Sequence, residues 1–270
     1  MKKILSLLSI AVLTFVLAAC SGNAKEDKNK LVVGATNVPH AEILEQAKPL
    51  LEKEGIELEI ETFQEYVLPN KALAQKELDA NFYQHKPFFE KKIKEHGYEF
   101  EDAGGVHIEP IGIYSKEYKK LEDVKDGATV ILSNSVADHG RVLLLLQEKG
   151  LITLKKGKTI DATFEDIAKN PKNLTFKYDI NPELLPKVYE NNEGDLVIIN
   201  SNFALDAGLN PMKDAIEIED ENSPYVNIVA VRKGDTDDER IQKLMEVLHS
   251  KEIQDWIIEK YNGAVVPVNK

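Results

Sequence analysis

The chain has one cysteine and one tryptophan in 270 residues. A lone cysteine excludes any intramolecular disulfide, so the fold must be held by packing alone. Basic charge is also scarce: 34 Lys and Arg against 46 Asp and Glu leave a net charge of −12. Such a surface repels nucleic acid and anionic headgroups, and no nucleic-acid partner is expected. Catalytic signatures are missing too. The sequence contains no Gly-x-Ser-x-Gly, His-Glu-x-x-His, phosphate loop or Gly-x-Gly-x-x-Gly. Its histidines, at 40, 85, 96, 107, 139 and 249, show no metal-ligand spacing. An enzyme, a resident metal and a cofactor are therefore not expected.

The first twenty residues are strongly patterned. Lys2 and Lys3 precede an almost wholly apolar stretch, Ile4 to Leu17, which closes on Leu17-Ala18-Ala19-Cys20. The stretch is too short for a comfortable transmembrane helix and reads as a secretory leader, 1–19. A sole cysteine directly after small residues resembles a bacterial lipobox, with Cys20 lipidated as the mature N-terminus. Cutting away Lys2 and Lys3 takes the charge from −12 to −14. Residues 20–30 are polar, lack periodicity and read as a tether. The expected location is the extracytoplasmic face of the cell membrane, anchored by lipid.

The body reads as α/β. Leu31–Ala35 is a short apolar strand, Ala41–Glu54 has apolar residues at helical spacing, and Ile56–Phe63 alternates as a strand. Further helices are expected at 70–78, 87–96, 142–149 and 239–261, the last ending at Asn262-Gly263. Further strands are expected at 106–114, 128–132, 196–200 and 226–231. Lys116–Gly127 is polar and reads as a linker. Two lobes follow, 31–115 plus 203–270 and 116–202, with a ligand cleft between them.

Local chemistry singles out a few positions and leaves each with two readings. Arg141 follows Ser133-Asn-Ser-Val-Ala-Asp138-His139-Gly140 and sits before the apolar run Val142–Leu146. At a helix start it would oppose the dipole. A bound anion, held by free N–H groups and a bidentate guanidinium, would resolve the conflict. Equally, Asp138 could cap the helix and pair with Arg141. Asn81-Phe82-Tyr83-Gln84-His85-Lys86-Pro87 reads as an aromatic loop that walls a pocket or packs in the core. Tyr66 carries the same choice. Asn200 and Asn202 stand where a strand runs out, a usual place for ligands in α/β sheets or for turn chemistry. Tyr225 and Asn227, at the start of a later strand, share that ambiguity.

Several longer motifs then resemble one family. Val33-Gly-Ala-Thr36, Pro39-His-Ala-Glu-Ile-Leu44, Leu78-Asp-Ala-Asn-Phe-Tyr-Gln-His85, Glu109-Pro-Ile-Gly-Ile-Tyr-Ser115, Asp126-Gly-Ala-Thr129 and Gly208-Leu-Asn-Pro211 are similar to the NlpA-type methionine-binding lipoproteins of ABC importers. The resemblance spans the mature chain. It implies a two-lobed periplasmic-binding-protein fold of type II kind that closes on one amino acid. It implies Arg141 on the α-carboxylate and Tyr66, Tyr83 and His85 around the side chain. Asn200, Asn202 and Asn227 would bond the amino and carboxylate groups, with Tyr225 close by. It further implies methionine or a close analogue as ligand, an ABC permease with its ATPase as partner, and a monomer. The arginine loop departs from the family pattern, with Asp138 where many members have asparagine and His139 where they have glycine. Other classes remain: a metal-binding importer component built on His40, His85 and His139, a surface hydrolase, or an adhesive lipoprotein.

Overall fold

The computed structural model describes residues 29–220 and 223–268. The leader, Cys20 and nearly all of the tether lie outside the described residues. No helix among the described residues is long and apolar enough to cross a membrane.

The first lobe starts with β1 (Lys30–Thr36), α1 (Glu42–Lys53) and β2 (Glu57–Phe63). It continues through α2 (Leu68–Ala74), β3 (Ala80–His85), α3 (Lys86–His96) and β4 (Phe100–Ile108). In α1, Ile43, Leu44, Ala47 and Leu51 form one apolar stripe. It buries against Leu31, Val33 and Ala35 of β1, while Pro49 stays on the exposed face. Gly97, at φ 69°, ends α3 in the left-handed conformation that favours glycine.

The second lobe runs through β5 (Gly112–Tyr114), β6 (Thr129–Ser133), α4 (Val136–Glu148), β7 (Thr153–Leu154), β8 (Ile167–Lys169) and β9 (Thr175–Ile180). After these come α5 (Leu185–Glu190), β10 (Leu196–Ile199), α6 (Ser201–Asp206), α7 (Pro211–Asp214) and β11 (Glu217–Ile218). The chain then returns to the first lobe for β12 (Val226–Arg232), α8 (Glu239–Leu248), α9 (Lys251–Tyr261) and β13 (Val266–Pro267).

Two mixed sheets define the lobes, ordered β13-β4-β12-β3-β1-β2 and β11-β5-β10-β6-β9. In the first, β1 and β3 are parallel while β12 runs antiparallel to both β3 and β4. In the second, β10 is parallel to β6 and antiparallel to β5.

The chain changes sheet at 109–111 and again at 219–225, rather than near 116 and 203. Val106–Tyr114 is accordingly two strands in two sheets. Pro110 interrupts the run, since it has no N–H to donate to a ladder. The expected linker 116–127 belongs to the second lobe, where Tyr118, Leu121 and Val124 are buried in its core. The helical stretch 239–261 is two helices, parted at His249-Ser250. The side chain of Ser250 caps α9 by accepting from the Ile253 N–H.

Candidate functional site

Between the sheets lies a narrow cavity. The first lobe supplies Tyr66, Tyr83, Gln84, His85, Phe88 and Asn227, and the second supplies Arg141, Asn200, Ser201 and Asn202. Glu109 reaches it from the first crossing. Seven of the eight expected site residues line this cavity. The eighth, Tyr225, lies behind Arg141, its ring centroid 4.6 Å from the guanidinium carbon and 5.0 Å from the His85 ring.

The aromatic stretch is not a loop. It is β3, and all six of its residues are buried. Opposite β12 the register runs His85 with Asn227, Gln84 with Ile228, and then Phe82 with Val229, so Tyr83 is an inserted residue. Such a bulge re-aims side chains. Phe82 packs into the core, while Tyr83 and His85 reach the cavity. Two of the strand's polar residues, Asn81 and Gln84, bond to each other and to Asn70 of α2. Gln84 donates to Asn70 and Asn81 at 2.9 Å each, and Asn81 donates back to Asn70 at 2.9 Å.

His85 caps α3. Its Nδ1 accepts from the Phe88 N–H at 3.1 Å, which places the imidazole proton on Nε2. Nε2 then donates across the cleft to Asp138 Oδ1 at 2.8 Å. Burial alone would push Asp138 up. The His85 hydrogen bond and the charge of Arg141 outweigh it and hold the carboxyl at about 2. A second bond crosses the cleft, from Tyr66 Oη to Asn202 Oδ1 at 2.6 Å. The Tyr66 ring also packs on Phe203 of the second lobe at 4.8 Å. Burial holds the Tyr66 and Tyr83 hydroxyls well above the usual tyrosine range, so both are neutral donors.

Arg141 does not start its helix. Helix α4 begins at Val136, which puts Arg141 in the second turn, away from the N–H groups that an anion at the helix end would use. The glycine two residues after Asp138 hides this start from the sequence, because glycine weakens a helical pattern. Here Gly140 is required by a neighbour: a Cβ on it would stand 2.1 Å from the Ile160 carbonyl oxygen.

Among the described residues, the hydrogen-bond partners of Arg141 are Glu219 and Glu109 rather than Asp138. The Nε of Arg141 donates to both carboxylate oxygens of Glu219, at 3.1 and 3.0 Å. Its NH2 donates to Glu219 and to the Glu109 carbonyl, the latter at 2.7 Å. Burial disfavours the guanidinium charge, but Glu219 overrides it and raises the Arg141 pKa further.

Behind the cavity, His107 Nε2 and His40 Nε2 reach Glu109 Oε1 at 2.7 and 3.1 Å. These are hydrogen-bond distances; donors sharing a tetrahedral zinc at 2.0–2.1 Å would stand about 3.3 Å apart. The trio forms a buried network of two imidazoles on one carboxylate. His85 is committed to Asp138, and His139 Nε2 donates to the Ser133 carbonyl at 3.0 Å, so His40, His85 and His139 do not converge.

Burial lowers His40 to about 4 and His107 to about 3, against an ordinary 6.5. The unfolded chain therefore binds protons first, and stability falls as pH drops below about 6.5, by up to about 1.4 kcal/mol per pH unit per histidine. Burial raises Glu109, which returns part of this as pH falls through its folded value. Thermal melts between pH 7 and 5 are expected to show a falling Tm, with a shallower slope in His107→Gln. A flat profile would contradict the neutral-histidine network.

A cleft between two sheets, lined by a buried guanidinium, amides and an aromatic wall, is the arrangement of a two-lobed binding protein. The chain belongs to the NlpA lipoprotein family, whose profile matches residues 31–269. It is 54% identical over 275 residues, and over the full length of both chains, to the methionine-binding lipoprotein MetQ of Bacillus subtilis. Among solved structures, a nutrient-binding protein from Burkholderia cenocepacia bound to methionine superposes with a TM-score of 0.82 at 38% identity, covering 88% of this chain and 99% of that one. An ABC-transporter periplasmic substrate-binding protein from Coxiella burnetii gives 0.83 at 36%, covering 88% and 100%.

Glu109, Gln84, Phe88, Ser201 and Glu219 were not singled out by sequence as parts of the site. Glu109 stood inside a family motif. Glu219 carries no local signal, because its partner is 78 residues away.

Proposed function

We propose that this protein captures methionine outside the cell membrane and delivers it to an ABC permease and its ATPase. The lining of the cavity carries the reading, a guanidinium, amides and aromatic rings together, in a family whose relatives are named for methionine. Arg141 takes the α-carboxylate. Asn200, Asn202 and Asn227 serve the carboxylate and ammonium groups, and Tyr225 backs the guanidinium. Tyr66, Tyr83 and His85, with Phe88, surround the side chain. Thioether contact with an aromatic ring contributes about 0.3–1.5 kcal/mol. No bond is made or broken. The ligand bridges both lobes and favours the closed arrangement.

Titration calorimetry of protein freed of carried-over ligand, with L-methionine, D-methionine and other amino acids, tests this. Heat is expected with a methionine isomer and not with charged or small amino acids. Silence with every methionine species would sink the assignment.

A lipid on Cys20 would keep the body within reach of its permease. Cys20→Ser is expected to move the protein from the membrane fraction to the soluble one, because a single acyl chain gives only marginal binding and losing all lipid leaves none. Membrane retention of that variant would count against the anchor.

A further inference from the structure

We propose that Glu219 is a positioning residue. It occupies one edge of the Arg141 guanidinium so that the NH1 edge is presented to the ligand carboxylate. This rests on the reading that methionine's carboxylate meets Arg141, and it adds how that arginine is aimed.

A guanidinium has five N–H donors in a fixed plane. Glu219 takes the Nε side, accepting from Nε at 3.1 and 3.0 Å and from NH2 as well. The remaining NH2 capacity goes to the Glu109 carbonyl at 2.7 Å. Among the described residues, no hydrogen bond from NH1 is found, while Arg141 lines the cavity. The ligand carboxylate is thus met by one nitrogen rather than the two-pronged fork that the sequence suggested.

Glu219 is itself anchored. Ser223 Oγ donates to Glu219 Oε1 at 3.0 Å, and the Ile111 N–H lies 3.4 Å from Oε2. Its own N–H donates to the Ile111 carbonyl at 3.0 Å. Ile111 and Ser223 belong to the two crossings between the lobes. Glu219 therefore fixes Arg141 of the second lobe against both segments about which the lobes would turn. Tyr225, also on the return crossing, holds its ring centroid 4.6 Å from the guanidinium carbon. A long, flexible side chain needs such support to hold a carboxylate within a fraction of an ångström.

The test compares methionine with methioninol, which keeps the ammonium and thioether but has a hydroxymethyl group in place of the carboxylate. Affinities come from calorimetry, with thermal shift at millimolar ligand for the weaker one. In Glu219→Ala, methionine affinity is expected to fall about tenfold or more, as losing an outer partner of a binding group commonly does, with methioninol changed by less than about twofold. Glu219→Gln keeps the shape and one acceptor and is expected to recover part of the loss. If Glu219→Ala does not fold, Glu219→Asp replaces it with the same sign and a smaller effect.

Equal loss for both ligands would make Glu219 a structural prop and overturn the proposal. Tighter methionine binding would make it a competitor for Arg141 and also overturn it. A wild-type protein that binds both ligands equally, or neither, would overturn the reading of the site, and the role of Glu219 with it.

Discussion

Arg141→Ala is expected to lose methionine binding and a large part of its fold stability together. Arg141 is 4% exposed and sits between the cavity and the two crossings. On the ligand side, removing one partner of a desolvated charge-assisted pair costs about 2–5 kcal/mol, much of it from the charge left unpaired. That lowers affinity from roughly thirtyfold to several thousandfold. On the protein side, Glu219 loses its cation, and the Glu109 carbonyl loses the N–H that donates to it. Breaking a buried ion pair from one side destabilises by about 3–5 kcal/mol. Arg141→Lys is expected to rescue stability only in part, because an ammonium cannot reproduce the planar fork that meets Glu219. Calorimetry and urea unfolding of both variants check this. A variant that loses stability yet binds methionine within twofold of wild type would place the carboxylate elsewhere.

Phe82→Ala is expected to cost about 3–5 kcal/mol of stability, the range for truncating a buried aromatic. Its ring is fully buried in the first-lobe core. It meets the His40 and His107 rings edge-on, at centroid distances of 4.7 and 5.3 Å. Edge-to-face pairs add about 0.5–1.5 kcal/mol beyond area burial. The cavity left behind would also bring water toward the two histidines, so the variant should lose less stability between pH 7 and 5 than wild type. Tyr83→Phe, one residue on, removes only a hydroxyl that donates to the Tyr66 carbonyl at 3.2 Å, and is expected to stay near wild-type stability. Urea denaturation of the pair decides it. A cost below about 1 kcal/mol for Phe82→Ala would put the ring outside the core.

Where one physical rule dominates, sequence and structure agree. The stripe Ile43, Leu44, Ala47, Leu51 repeats at helical spacing, and Gly97 and Asn262 end their helices left-handed at φ 69° and 48°. Where rules compete, the sequence misleads. Ala80–His85 has no apolar alternation because every side chain is buried and Asn81 and Gln84 bond to each other, so a strand looks like a loop. Residues 116–127 look polar because Tyr118, Leu121 and Val124 carry the burial among charged neighbours. Local chemistry made Arg141 a candidate, but both of its expected arrangements were local. Its actual partners, Glu109 and Glu219, come from the two crossings, and only the tertiary fold brings them there.

Two hydrogen bonds described above, Tyr66 to Asn202 and His85 to Asp138, join the lobes through the protein's own side chains. They have a consequence for unloading. A ligand held only by its own contacts would leave at a rate set by those contacts. Here the door has its own latches, and both must be undone before the cargo can exit. Residence time inside the protein is then decoupled from intrinsic affinity. Opening the lobes means breaking both bonds, at Tyr66 and at His85.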